Sequence, residues 1–141
     1  MNSHSFLRAA IWTLRVALAT AFLSAVADRF GIWGANGAPG VAWGDWSHFV
    51  AYTGKLLWFL PPALVNPAAW AATIAEAGLA IALLTGLGSR IVALASAALL
   101  ASFALTMTVA LGIKAPLDYS VFTAAAAALL LAAITPPSGR E

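Results

Sequence analysis

Between Leu56 and Ser89 the chain carries a single charged residue, Glu76, inside the run Ala68-Ala69-Trp70-Ala71-Ala72-Thr73-Ile74-Ala75-Glu76-Ala77-Gly78-Leu79-Ala80-Ile81-Ala82-Leu83-Leu84. A segment this apolar and this long suits a bilayer better than a soluble core. The whole chain agrees: 62% of its residues are hydrophobic and 9% charged, against about 25% charged in soluble domains. Glu76 is then a carboxyl group in a membrane segment, where an ionised acid costs at least about 2.5–3.5 kcal/mol on insertion scales. Such a residue needs a partner, a proton or a function.

Four segments are long and apolar enough to be read as spans, at about 9–27, 68–85, 91–113 and 119–134. Gly86-Leu87-Gly88 closes the second, Gly112 and Pro116 bracket the third, and Pro136-Pro137 ends the fourth. Four lipid-facing strands could not close a barrel, so the prediction is an all-α, four-transmembrane-helix bundle forming one membrane domain over residues 1–141. Arg8, the apolar stretch and Ala25-Val26-Ala27 also imitate a secretory signal with its cleavage site. Arg15 inside the apolar region argues for an uncleaved first span instead.

Between the first two spans, residues 31–44 are rich in glycine and hold Trp33 and Trp43. Residues 46–60 place apolar side chains at 46, 49, 50, 56, 57 and 60, with Ser47, His48, Tyr52 and Lys55 on the other side. That spacing predicts a short amphipathic helix lying along the membrane interface, stopped at Pro61-Pro62. Small residues four apart mark helix-packing stripes: Ala17-Ala21-Ala25, Ala72-Glu76-Ala80, Ser89-Ala93-Ala97-Ala101 and Ala124-Ala128-Ala132. Glu76 lies on one of them and should face other helices. With four spans, Arg8, Arg90 and Arg140 share an end with both termini, which favours cytoplasmic termini.

There are no cysteines, which removes disulfides, thiolate metal sites and iron–sulfur ligation. The few basic residues sit at the ends of apolar runs, so no nucleic-acid partner is expected. Scattered carboxylates and few histidines give no metal site, and no phosphate loop or nucleophile elbow is present. The candidate chemistry falls in two places. If spans one and two end flush, Arg15 reaches the depth of Glu76 and can pair with it. Otherwise Arg15 snorkels, and Glu76 is protonated or bonds a hydroxyl such as Thr20, Ser24, Thr73, Ser102 or Thr106. At the opposite end, Asp28, Arg29, Asp45, His48, Lys55, Lys114 and Asp118 would converge over the bundle's mouth, and the candidate ligand-binding residues are Arg15, Asp28, Arg29, His48 and Asp118. His48 is the candidate acid or base there. Asp118 is alternatively an N-cap for the last helix.

The run Phe49-Val50-Ala51-Tyr52, Leu60-Pro61, Ala75-Glu76-Ala77-Gly78-Leu79 and Leu84-Thr85-Gly86-Leu87-Gly88-Ser89-Arg90 resembles the DoxX family of small four-span membrane proteins. The likeness extends over about residues 8–135. It implies a four-helix bundle in a bacterial inner membrane. It also implies association with a redox or respiratory assembly through an oxidoreductase or a larger complex, with a quinone as the possible cofactor. Some relatives are assembly or trafficking factors. On this resemblance Glu76 is the candidate catalytic residue, exchanging protons with a quinone headgroup, and Gly86 and Arg90 belong to the turn motif. The alternatives are a structural or assembly protein without catalysis, and a carrier of small lipophilic molecules.

Overall fold

The computed structural model describes residues 2–136, all of them in helices and connecting loops. In chain order the helices are α1 (Ser3–Arg29), α2 (Trp46–Leu56), α3 (Pro62–Thr85), α4 (Ser89–Leu111), α5 (Lys114–Asp118) and α6 (Val121–Ile134). Three of them, α1, α3 and α4, are long and apolar enough to cross a membrane. The fourth predicted span is α6, which is apolar throughout but only 14 residues long. At 1.5 Å per residue it reaches about 21 Å, short of the roughly 30 Å hydrocarbon thickness. An all-helical, membrane-compatible fold is therefore present, with three helices of spanning length.

Local chemistry sets the ends. The Asn2 side chain accepts the Ser5 N–H at 2.9 Å and starts α1. The second span was expected from residue 68, behind the prolines. Instead α3 begins at Pro62, where a proline at the first helical position loses nothing, and it carries Pro67 within its second turn. Gly86 ends α3 in the left-handed conformation (φ 80°), as a helix C-terminus favours.

The core joins Leu18 and Phe22 of α1, Ala80 and Leu83 of α3, Ala93 of α4, and Ala128 and Leu131 of α6. The stripes on α3, α4 and α6 point inward: Ala80, Ala93 and Ala128 are fully buried. The α1 stripe does not. Ala17 and Ala21 are exposed, and α1 turns Arg15, Leu18, Ala19 and Phe22 inward instead. Large aliphatic side chains such as Ile74, Ile81, Leu105 and Val109 cover the outside, consistent with contact to lipid.

The amphipathic helix is α2, and its apolar face has a different destination from the one predicted. Phe49 is buried against the bundle, and α2 packs chiefly on α3, while Ser47, His48 and Lys55 face outward. Its apolar side is satisfied by protein, so α2 caps one end of the bundle. The loop before it is held by close backbone approach. Gly44 has φ 75°, and a Cβ there would stand 2.6 Å from the Ala35 carbonyl carbon and closer still to the Asn36 nitrogen. Gly78, by contrast, lies on the open side of α3 with nothing near it. Gly44→Ala should lower stability by about 2 kcal/mol or more, through strain and overlap. Gly78→Ala should raise it by up to about 1 kcal/mol through helix propensity. Unfolding in mild detergent measures both, and the opposite signs are the test.

Candidate site: a buried Arg29–Glu76 pair under an aromatic roof

Glu76 is 3% exposed and forms an ion pair with Arg29, which is 2% exposed. Its partner is thus not Arg15. The reason is stagger. Arg29, the last residue of α1, meets Thr73 and Glu76 in the middle of α3. The stretch from Pro62 to Thr73, about three turns, rises past the end of α1. Flush ends, the premise behind the Arg15 pairing, do not occur. Glu76 consequently lies at the level where α1 ends.

The Arg29 guanidinium is held by α3 on one side and by rings of the strap and α2 on the other. Nη2 meets Glu76, and Nη1 donates to Thr73 Oγ1 at 2.7 Å. Thr73 in turn donates to the Ala69 carbonyl at 2.9 Å, which fixes its hydroxyl. The guanidinium carbon stands 3.9 Å from the centre of the Phe49 ring and 5.4 Å from that of Trp43. Nε is buried without a hydrogen bond. Removing this cation from water is offset by one carboxylate, one hydroxyl and two ring faces.

Asp28 builds the roof. Its carboxylate accepts three backbone N–H groups: Ala42 at 2.9 Å on Oδ2, and Trp43 at 2.8 Å and Gly44 at 3.0 Å on Oδ1. Asn36 adds a bond from Nδ2 to the Trp43 carbonyl at 2.8 Å. This strap lays Trp43 against Phe49, with ring centres 5.0 Å apart. Trp46 continues the layer, 4.2 Å from Trp70 and 5.7 Å from Phe30, and its Nε1 donates to Asn66 at 3.1 Å.

At the other end, Arg15 is buried and its Nε donates to the Leu83 carbonyl at 2.8 Å. Leu83 is in the last turn of α3, where carbonyls lack helical partners and a cation is favoured. Arg15 therefore caps α3 across the helix interface, with Trp12 5.3 Å away. Gly86 is the C-cap of the same helix, and Arg90 is exposed in the first turn of α4.

His48 and Asp118 form short local pairs apart from Glu76, and Lys55 is exposed. His48 Nδ1 lies 2.8 Å from Asp45 Oδ2, and Asp45 also accepts the His48 N–H at 2.9 Å and the Ser47 hydroxyl at 2.7 Å. Asp45 is the N-cap of α2. Asp118 pairs with Lys114 within α5. It does not cap the last helix, whose N-cap is Ser120 with no side-chain bond. Of the predicted set, only Asp28, Arg29 and Glu76 belong to one cluster. Among the described residues no group of three His, Asp or Glu is placed to hold a metal. A shallow depression of about 420 Å³, lined by Trp12, Thr13, Val16 and Ala17, lies on the outer side of α1, and Glu76 is not among its walls.

One sequence signal could have found the Arg29 partner. Arg15, Leu18, Phe22 and Arg29 recur at helical spacing, and all four are buried. Both arginines thus belong to the inward stripe of α1. The strap and its aromatic contacts had no such signal, because loop geometry carries no periodicity. No family model, curated protein or solved structure matches the chain.

The hydrogen bonds from His48 and Ser47 hold the Asp45 carboxyl at about 2, below its usual 3.8. A depressed carboxylate stabilises the α2 cap fully above 3.8, and that contribution disappears as pH falls toward 2. Hydrogen exchange at the His48 amide should show protection lost across this interval. Asp45→Asn retains an acceptor and should remove the pH dependence without removing the protection.

Proposed function

We propose that the chain is a non-catalytic membrane scaffold whose capped end, made by the strap, α2 and the first turns of α3, is fixed by the Arg29–Glu76 latch for assembly with other membrane components. One observation carries this reading: Glu76, the acid best placed for chemistry, is ion-paired to Arg29 beneath Phe49 and Trp43. The apolar outer faces of α1, α3 and α4 support a bilayer as the surroundings. Arg8 and Arg90 favour a cytoplasmic side for the end opposite the cap, in a bacterial inner membrane.

The rival reading follows the DoxX resemblance: a subunit of a redox assembly with a quinone headgroup near Glu76. The aromatic rings over Arg29, the partner of a buried acid, are its support. The two readings separate on paired substitutions. Glu76→Gln leaves Arg29 buried without a counter-charge and should cost about 3–5 kcal/mol. Glu76→Met combined with Arg29→Met removes both charges and should recover most of that loss. Denaturant titration in mild detergent measures each. A Glu76→Gln protein as stable as the parent would overturn the latch. A stable double variant that has lost quinone turnover in its native assembly would move the assignment to the redox subunit.

A further inference from the structure

At the capped end, the tip joining α2 to α3 differs from its surroundings. Trp58 is 68% exposed and Phe59 62%, and their rings meet edge to face with centres 6.0 Å apart. The other tryptophans of this end have internal engagements. Trp33 Nε1 donates to Ser24, Trp46 Nε1 donates to Asn66, Trp43 meets Phe49 edge-on, and Trp70 lies tilted against Trp46. Trp58 makes no hydrogen bond within the described chain, so its indole N–H is free for an outside acceptor. The charges show the same contrast. At this end Lys114 is paired with Asp118, His48 with Asp45, and Arg29 with Glu76. Lys55, exposed and one turn before Trp58, has no acid partner among the described residues.

We propose that Lys55, Trp58 and Phe59 form a phospholipid anchor, with the Lys55 ammonium on a headgroup phosphate and the two rings at the glycerol level and upper acyl chains. An amphipathic ring with a free N–H suits that boundary, where one edge is wet and the other apolar. A lysine whose charge is not matched among the described residues complements an anionic phosphate. The tip leads directly into the first turn of α3, where Leu64 is exposed, so apolar surface continues from the anchor onto that helix. It also explains the orientation of α2. With its apolar face on the bundle, the helix lies on the cap, and the tip enters the bilayer edge. The inference rests on the membrane placement proposed above, and its test distinguishes the two.

The full chain is reconstituted in phosphatidylcholine vesicles containing lipids brominated either near the carbonyl or near the terminal methyl. Subtracting the Trp58→Phe protein from the parent isolates Trp58 fluorescence. Shallow bromines should quench Trp58 more than deep ones, and aqueous iodide should quench it little. Brominated phosphatidylglycerol diluted into phosphatidylcholine should quench it more than brominated phosphatidylcholine at equal mole fraction, and Lys55→Gln should abolish that difference. Quenching of Trp58 by iodide alone overturns the anchor, and so does protection from both quenchers, which would place a protein surface over the tip. Retention of the headgroup preference in Lys55→Gln overturns the role of Lys55. If no tryptophan of the protein, Trp12 and Trp70 included, is quenched by any brominated lipid, the membrane placement itself fails.

Discussion

A buried arginine and a buried glutamate must meet if either is to remain inside this bundle, and the geometry of the capped end follows from their meeting. Each charge alone would lose several kcal/mol of hydration without return. Together they fix the end of α1 to the middle of α3. The pair then needs a cover, because water reaching it would compete for both partners. Asp28, next to Arg29 in sequence, gathers three N–H groups of the strap and so delivers Trp43 over the guanidinium. Asp45, the residue after Gly44, starts α2, which brings Phe49 to the other ring position. The strap, the cap and the second ring are thus consecutive consequences of one ion pair.

The same contact explains a feature of shape. With Arg29 opposite Thr73 and Glu76, α1 and α3 are displaced along each other. The first turns of α3 stand beyond α1 and become the wall on which α2 packs, through Trp46 with Trp70 and Asn66. At the opposite end the first residues of α1 extend past α3 and are exposed, and Arg15 reaches the Leu83 carbonyl where α3 stops. A flush pair of helices would leave neither a shelf for α2 nor a helix end within reach of Arg15.

Much of the helical plan was legible because apolar composition and glycine or proline stops are local. The turn at Gly86-Leu87-Gly88, the amphipathic character of residues 46–56 and the inward position of Glu76 were all readable in this way. The start of α3 was not, since a proline reads as a stop although it is well tolerated in the first turn. The wrong partner for Glu76 came from the opposite end, where the first span was started near residue 9 and level with the end of the second, whereas α1 begins at Ser3 and runs past α3. The inward face of α1 was misread for a different reason. Alanine stripes arise easily in alanine-rich helices, and Ala17 and Ala21 are exposed, while the less obvious series through Arg15 and Arg29 is buried. Asp118 looked like a cap from its position before a helix, but Lys114 lies one turn back and takes the carboxylate. The Asp28 strap depends on backbone conformations at glycines, which composition alone does not specify.

Alanine-rich helices pose a problem of register that polar ties solve. Where small residues dominate, sliding one helix past another by a turn replaces alanine with alanine and changes the packing energy little. The buried face of α3 is partly of this kind, with Ala69 and Ala80 fully enclosed beside Thr73, Glu76 and Leu83. Two arginines on one face of α1, fourteen positions apart, remove the degeneracy. A one-turn slide would separate Arg29 from Glu76 and Thr73 and, in the same movement, take Arg15 from the Leu83 carbonyl. Both losses leave buried charge without a partner, so they weigh far more than the alanine contacts that survive. Dispersion can hold such helices together without deciding where along their length they meet. The arginines decide it, and a misaligned α1–α3 pair is penalised twice.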